Sequence, residues 1–163
     1  MMVDFRHAFR RIRVENKTKA VLVSGMDGTF CSGGDLGFVK KIASDEGAYV
    51  MSTYMEAAVR EMAENPQLNI AVLEGHTLGG GSELASACDL RIAHKDATVG
   101  FVQGRVGVSP GWGGGKYIVE ALGRARAMEY LCMARTLSAD ELYRVRSAII
   151  HAFQRTDRTR SLK

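Results

Sequence analysis

Residues 76–93 read HTLGGGSELASACDLRIA, and this stretch sets the register of everything around it. Gly79, Gly80 and Gly81 stand where a strand hands over to a helix: glycine lacks Cβ, and the first N–H groups of a helix have no intrahelical acceptor. The small residues of 82–87 then predict a short helix that starts at the glycines, and LRIA predicts a return to strand.

The same grammar extends in both directions. Upstream, AVLVS at 20–24, closed by Gly25, and Asn69–Leu73, closed by Glu74-Gly75, are short apolar runs of the kind a parallel sheet buries on both faces. Between them, Val50, Tyr54, Met55, Ala58 and Met62 predict a helix over 47–64, which Pro66 stops. Strand, helix and strand in that order make a right-handed crossover. Met2, Phe5, Phe9 and Ile12 predict a further helix at the start, over residues 2–13. Downstream, TVGFV at 98–102 predicts a strand, VGVSPGWGGG at 106–115 a glycine-rich turn, and residues from about 116 to 122 a helix. Ser138 with Glu141 three residues later forms a capping box that announces another helix. Seventeen of the 18 glycines lie between 25 and 115, at the handovers, so the chain reads as an α/β domain with turns built for close backbone approach.

At 163 residues the chain is long enough for one domain and one core. No stretch approaches the roughly 20 apolar residues that cross a bilayer, so no membrane partner is expected. The net charge of +4 belongs to the ends. Residues 1–19 carry six basic and two acidic side chains and 142–163 six and one, which leaves −5 for the stretch between them. A basic binding face for nucleic acid is therefore not expected. Cys31, Cys88 and Cys132 are widely spaced and lack the spacing of a zinc site, so no metal is expected and reduced thiols in the cytoplasm are the simplest reading. The Arg-rich amphipathic start also matches a mitochondrial transit peptide, against which Asp4 and Glu15 count.

Two turns carry the chemistry: Phe30-Cys31-Ser32-Gly33-Gly34-Asp35-Leu36 and Leu78-Gly79-Gly80-Gly81-Ser82-Glu83, each leading into a helix. Unpaired N–H groups from two such turns, side by side, can point at one developing oxyanion. The plainer alternative is tight packing or positive φ. Neither turn has the spacing of a dinucleotide or P-loop fingerprint.

Taken together, these residues resemble the crotonase family, the enoyl-CoA hydratase/isomerase superfamily. FCSGGDL looks like that family's FxAGxDL loop, LGGGSELASACDLRIA like its GGGxELAxxCDxRIA segment, and GVSPGWGGG like its GxxPxxGG loop, in the same order over about residues 19–141. The resemblance implies a spiral of ββα turns that binds an acyl-CoA thioester and stabilises its enolate between two peptide N–H groups. By position these are Gly34 and Gly80, with Ser32 and Gly33 lining the substrate loop. It implies no cofactor beyond the CoA moiety of the substrate. Family hydratases add two carboxylates; Glu83 matches the first, while the second position, seven before Pro110, holds Gln103, an amide that cannot exchange a proton as a carboxylic acid does. A catalytic and a structural role for Glu83 both stay open, since a carboxylate in a first helical turn also satisfies orphan donors.

The GWGGG loop with Trp112, and SGGDL, are similar to the ethylmalonyl-CoA decarboxylase branch of the family. Loss of CO₂ from a malonyl-type thioester itself generates an enolate, so decarboxylation of ethylmalonyl-CoA or methylmalonyl-CoA needs no strong base at Gln103. Trp112 would then be an apolar wall that disfavours the substrate carboxylate, or simply a core tryptophan. His76 would steer a carboxylate or protonate the enolate, or be a hydrogen-bonded surface group. The alternatives are hydratase/isomerase activity and a truncated, non-catalytic family member. Against the family pattern the fold is expected to be incomplete at the N-terminus and to lack the C-terminal helices that build the family's homotrimer. It divides into a partial crotonase-like domain, 1–141, and a basic divergent tail, 142–163, whose residues 146–163 are expected as disorder or a loose amphipathic helix.

Overall fold

The computed structural model describes residues 2–42, 44–145 and 150–153. Helix α1 (Met2–Glu15) turns Phe9 into the core, with Met2 and Phe5 packed beside it. Its polar side reaches helix α3 (Asp45–Ala63): Arg10 donates from Nε and Nη2 to the two oxygens of Glu61, both at 2.8 Å, and Arg6 donates to the same carboxylate. The paired guanidinium groups hold the Glu61 carboxyl down at about 2. Helix α2 (Leu36–Lys41) precedes α3 and is capped by Asp35, which accepts from Phe38 N–H.

The strands form two sheets. β1 (Ala20–Ser24), β2 (Leu68–Leu73), β4 (Leu90–His94) and β7 (Ile150–Phe153) make a parallel sheet in that order, with Val23 beside Ala71 and Leu73 beside Ala93. β3 (His76–Leu78), β5 (Thr98–Gly100) and β6 (Thr136–Ser138) make a smaller one, β3 parallel to β5 and β5 antiparallel to β6. The chain passes from the first sheet to the second through Glu74-Gly75, and again between β4 and β5. Each strand pair is followed by helix: α4 (Gly80–Ser86) after the first pair, α5 (Gly114–Leu122) and α6 (Arg124–Met133) after the second. This repetition is the expected spiral of ββα turns. Gly75 is obligatory at its corner, because φ is +53° and a Cβ there would lie 2.3 Å from Gly28 O. The core gathers Met55, Val59 and Met62 of α3, Ala71 and Leu73 of β2, Ala93 of β4 and Ile118 of α5. Ser138 caps α7 (Ala139–Arg144) through the reciprocal box with Glu141 that its sequence predicts.

Several expectations are corrected. AVLVS is not buried on both faces: among the described residues β1 is an edge strand, Val21 and Val23 pack inward, and Leu22 is 66% exposed. A continuous apolar run does not distinguish the two placements. The strand proposed at 98–102 ends at Gly100, since β6 offers only three residues to pair, and Val102–Val106 turn into a 3-10 helix. Within the tail, 150–153 form a strand rather than disorder or loose helix, because the open edge of β4 supplies their backbone partners; residues 146–149 and 154–163 lie outside the described residues. Cys31, Cys88 and Cys132 are free thiols, and burial pushes that of Cys88 up to about 12.

Candidate functional site

The site is built on α4. Gly79, with φ +56°, turns the chain out of β3, and its carbonyl accepts from Ser82 N–H and Glu83 N–H. Ser82 locks this corner to both strands beneath it: Oγ lies 2.6 Å from Thr77 O and 2.8 Å from Gly100 O and accepts from Gly100 N–H. At the other end of α4, Arg91 donates to the carbonyls of Ala85, Ser86 and Cys88, satisfying acceptors that a short helix leaves open.

The first glycine turn lies directly against this corner. Cys31 N–H donates to His76 O and Leu78 N–H to Cys31 O, so the turn runs beside β3. Contact is backbone to backbone: a Cβ on Gly81 would lie 2.0 Å from Cys31 O, and one on Gly33 would lie 3.2 Å from Gly80 N. Gly33 also has φ +98°, a conformation that an L side chain rarely adopts. The two turns are thus brought together as expected. Among the described residues neither Gly34 N–H nor Gly80 N–H donates to a backbone carbonyl.

Trp112 closes the other side. It is 6% exposed, and a Cβ on Gly80 would fall 2.6–2.7 Å from Cζ3, Cε3 and Cη2 of its ring, while one on Gly34 would come within 4.0 Å of Cζ2. The same indole therefore borders both candidate donors. Its segment, 109–115, faces α3 across a groove of about 690 Å³ that Ser52, Glu56, Arg60 and Lys116 help to line.

Glu83 lies beneath that segment with 1% exposure. Its Oε2 accepts from Trp112 N–H at 2.7 Å and Gly114 N–H at 2.9 Å; its Oε1 accepts from Gly111 N–H at 3.2 Å and Gln103 Nε2 at 2.9 Å. The carboxylate thus sits at the N-terminus of α5, where the helix dipole favours an anion. Burial pushes its pKa up, and the four donors oppose the rise. Its donors come from Gln103 on the 3-10 helix, from the loop before α5 and from α5 itself, rather than from the first turn of its own helix, one of the two roles the sequence left open. Close approach is possible because residue 114 is glycine, whose Cβ would lie 2.3 Å from Glu83 Cβ. Gln103 spends its amide N–H on Glu83, and its buried Oε1 has no partner among the described residues.

The remaining expected site residues are placed less centrally. Ser32 is exposed on the first turn. His76 begins β3, bonds Thr98 through Nδ1 at 2.9 Å, and is separated from Gly80 by the strand's roughly 7 Å of rise and by Gly79. Its backbone carbonyl accepts from Cys31 N–H of the first turn, while its side chain is engaged by Thr98. Sequence reasoning passed over Ser82 and the amides of Gly111 and Gly114; the glycines opening α5 were the one signal of so close a helix crossing. Among the described residues no three His, Cys, Asp or Glu side chains gather as a metal site, and no helix is long and apolar enough to cross a membrane.

Fold and site together define an α/β spiral whose two glycine turns present peptide N–H groups, without a backbone acceptor among the described residues, beside one buried indole. The family model for enoyl-CoA hydratase/isomerase matches residues 1–153, and the chain belongs to that family. It is 36% identical to the ethylmalonyl-CoA decarboxylase of Danio rerio over 86% of this chain and 46% of that protein. With the ethylmalonyl-CoA decarboxylase of Homo sapiens identity is 31%, over 93% of this chain and 50% of that protein. Among solved structures, the enoyl-CoA hydratase of Bacillus anthracis superposes with a TM-score of 0.84 at 29% identity, covering 88% of this chain and 56% of that one. The chain spans about half the length of the relatives it matches.

Proposed function

We propose that this site binds a malonyl-type acyl-CoA thioester, ethylmalonyl-CoA or methylmalonyl-CoA, and decarboxylates it. The bond between Cα and the carboxylate breaks, CO₂ leaves, and the electron pair is delocalised into the thioester as an enolate. The N–H groups of Gly34 and Gly80 hold the enolate oxygen, and water then supplies the proton that Cα takes up. Donors fixed in advance at a developing oxyanion contribute more than any other single effect in many enzymes. The Trp112 ring keeps water from one side of the pair, strengthening those bonds. No cofactor beyond the CoA moiety is needed.

The observation that carries this reading is the Gln103–Glu83 hydrogen bond. At the position where the family's hydratases hold a second carboxylate, this chain holds an amide, and its N–H is already given to the first. The names of the relatives support the same choice. A hydratase reading is favoured instead by Glu83 and by the names of the superposed structures. One experiment separates the two: the chain is incubated with ethylmalonyl-CoA, methylmalonyl-CoA and crotonyl-CoA, and the products are resolved by mass. Butyryl-CoA and propionyl-CoA are expected. 3-Hydroxybutyryl-CoA as the main product overturns the decarboxylase reading, and a thioester-induced rise in Tm without any product marks a binding protein.

A further inference from the structure

We propose that Glu83 is a positioning residue: its carboxylate pins the 111–114 segment so that the Trp112 indole lies against Gly80 and beside Gly34. The inference rests on the reading of Gly34 and Gly80 as the enolate donors, but its geometry stands apart from any reaction. Both oxygens of Glu83 carry two donors each, three of the four being backbone N–H groups at the start of α5 and in the loop before it. The shortest bond, at 2.7 Å, is to the Trp112 N–H itself. A carboxylate so engaged has no oxygen left to turn toward a substrate, whereas it fixes where the indole goes.

A carboxylate answers all four donors at once. Glutamine has the same shape but no charge and a single oxygen: with that oxygen on the Trp112 and Gly114 N–H groups, its NH₂ meets the Gly111 N–H, and Gln103 has to flip its amide to accept from it. Aspartate is one methylene too short to reach α5 from the same place on α4. An acid–base residue behaves differently: glutamine would abolish its chemistry and leave the loop where it is.

The chain has a single tryptophan, so its fluorescence reports this ring alone. The test compares Glu83→Gln with the parent by emission wavelength and acrylamide quenching, with far-UV circular dichroism as the check on folding. Positioning predicts a red shift and quenching raised severalfold in a protein that keeps its helices, because removing a charged acceptor from buried donors raises local opening about tenfold or more. An unmoved spectrum, with or without loss of turnover, overturns the inference. Should Glu83→Gln fail to fold, hydrogen exchange in the parent decides: protection of the Trp112 and Gly114 amides comparable with that of α5 supports the pinning, and exchange as fast as in an open loop refutes it. A shifted spectrum in a chain that decarboxylates nothing supports the positioning and refutes the functional reading; turnover lost under an unmoved spectrum does the reverse.

Discussion

Gly80→Ala isolates the geometry of the site from its chemistry. Alanine keeps the N–H that is proposed to bind the enolate, and φ at Gly80 is not positive, so neither donor loss nor backbone strain enters. What enters is one methyl group, placed 2.6–2.7 Å from three ring carbons of Trp112. Carbon atoms settle about 3.5–4.0 Å apart, so the indole or the α4 corner must give by about 1 Å. Neither moves freely. The Trp112 N–H is held by Glu83, and the corner is held by Ser82. Overpacking of this kind costs about 1–3 kcal/mol, which at ~2–4 °C per kcal/mol lowers Tm by about 2–12 °C in a chain of this size. A misplacement of about 1 Å at a reacting centre costs on the order of 10²-fold in rate. Differential scanning fluorimetry, tryptophan emission and steady-state decarboxylation of ethylmalonyl-CoA read the three effects, and adding Trp112→Leu should restore Tm. A Gly80→Ala protein with parental Tm, emission and rate would show that the indole does not rest on Gly80.

Gly34→Pro removes the other donor and should lower kcat by ~10²–10³-fold; a folded variant with parental kcat in the decarboxylation assay would show the donor to be misassigned. Gln103→Glu would set a second carboxyl about 3 Å from Glu83, so that one of the pair keeps its proton and the shared pKa rises. The folded pKa then exceeds the unfolded one, and the variant should lose stability relative to the parent as pH rises from about 4 toward 8, as Tm against pH will show. Glu61 titrates with the opposite sign. Its pKa falls from 4.5 unfolded to about 2 folded, so its link to Arg6 and Arg10 stabilises the protein above about pH 4.5 and is lost as pH falls toward 2. Exposure of Arg10 screens the pair, so the effect is small, and Glu61→Gln should flatten Tm over that acid range.

What the sequence made legible is what neighbouring residues decide. The Ser138–Glu141 box and the start of α4 at the glycines depend on residues three or four apart, and both stand as read. β3 and β6 have three residues each, too few to display a period, and α6 buries only Ala127 and Tyr130, too little to announce a face. AVLVS could not tell an edge from a centre, because the residues that decide it belong to the neighbouring strands. Within the site, the glycine turns could be found from their spacing, and the family resemblance paired them. The partners of Glu83 could not, since Gly111, Trp112 and Gly114 lie 28–31 residues away and donate through backbone, which no side-chain pattern records.

The proposed chemistry is loss of CO₂ from a malonyl-type thioester, with the resulting enolate held between Gly34 and Gly80. Mass analysis of the thioester products formed from ethylmalonyl-CoA in D₂O tests it most directly. The prediction is butyryl-CoA carrying one deuterium at Cα, released with one equivalent of CO₂, at a rate that falls with Gly34→Pro. Ethylmalonyl-CoA recovered intact from a folded, thioester-binding protein, or a rate indifferent to Gly34→Pro, would contradict it.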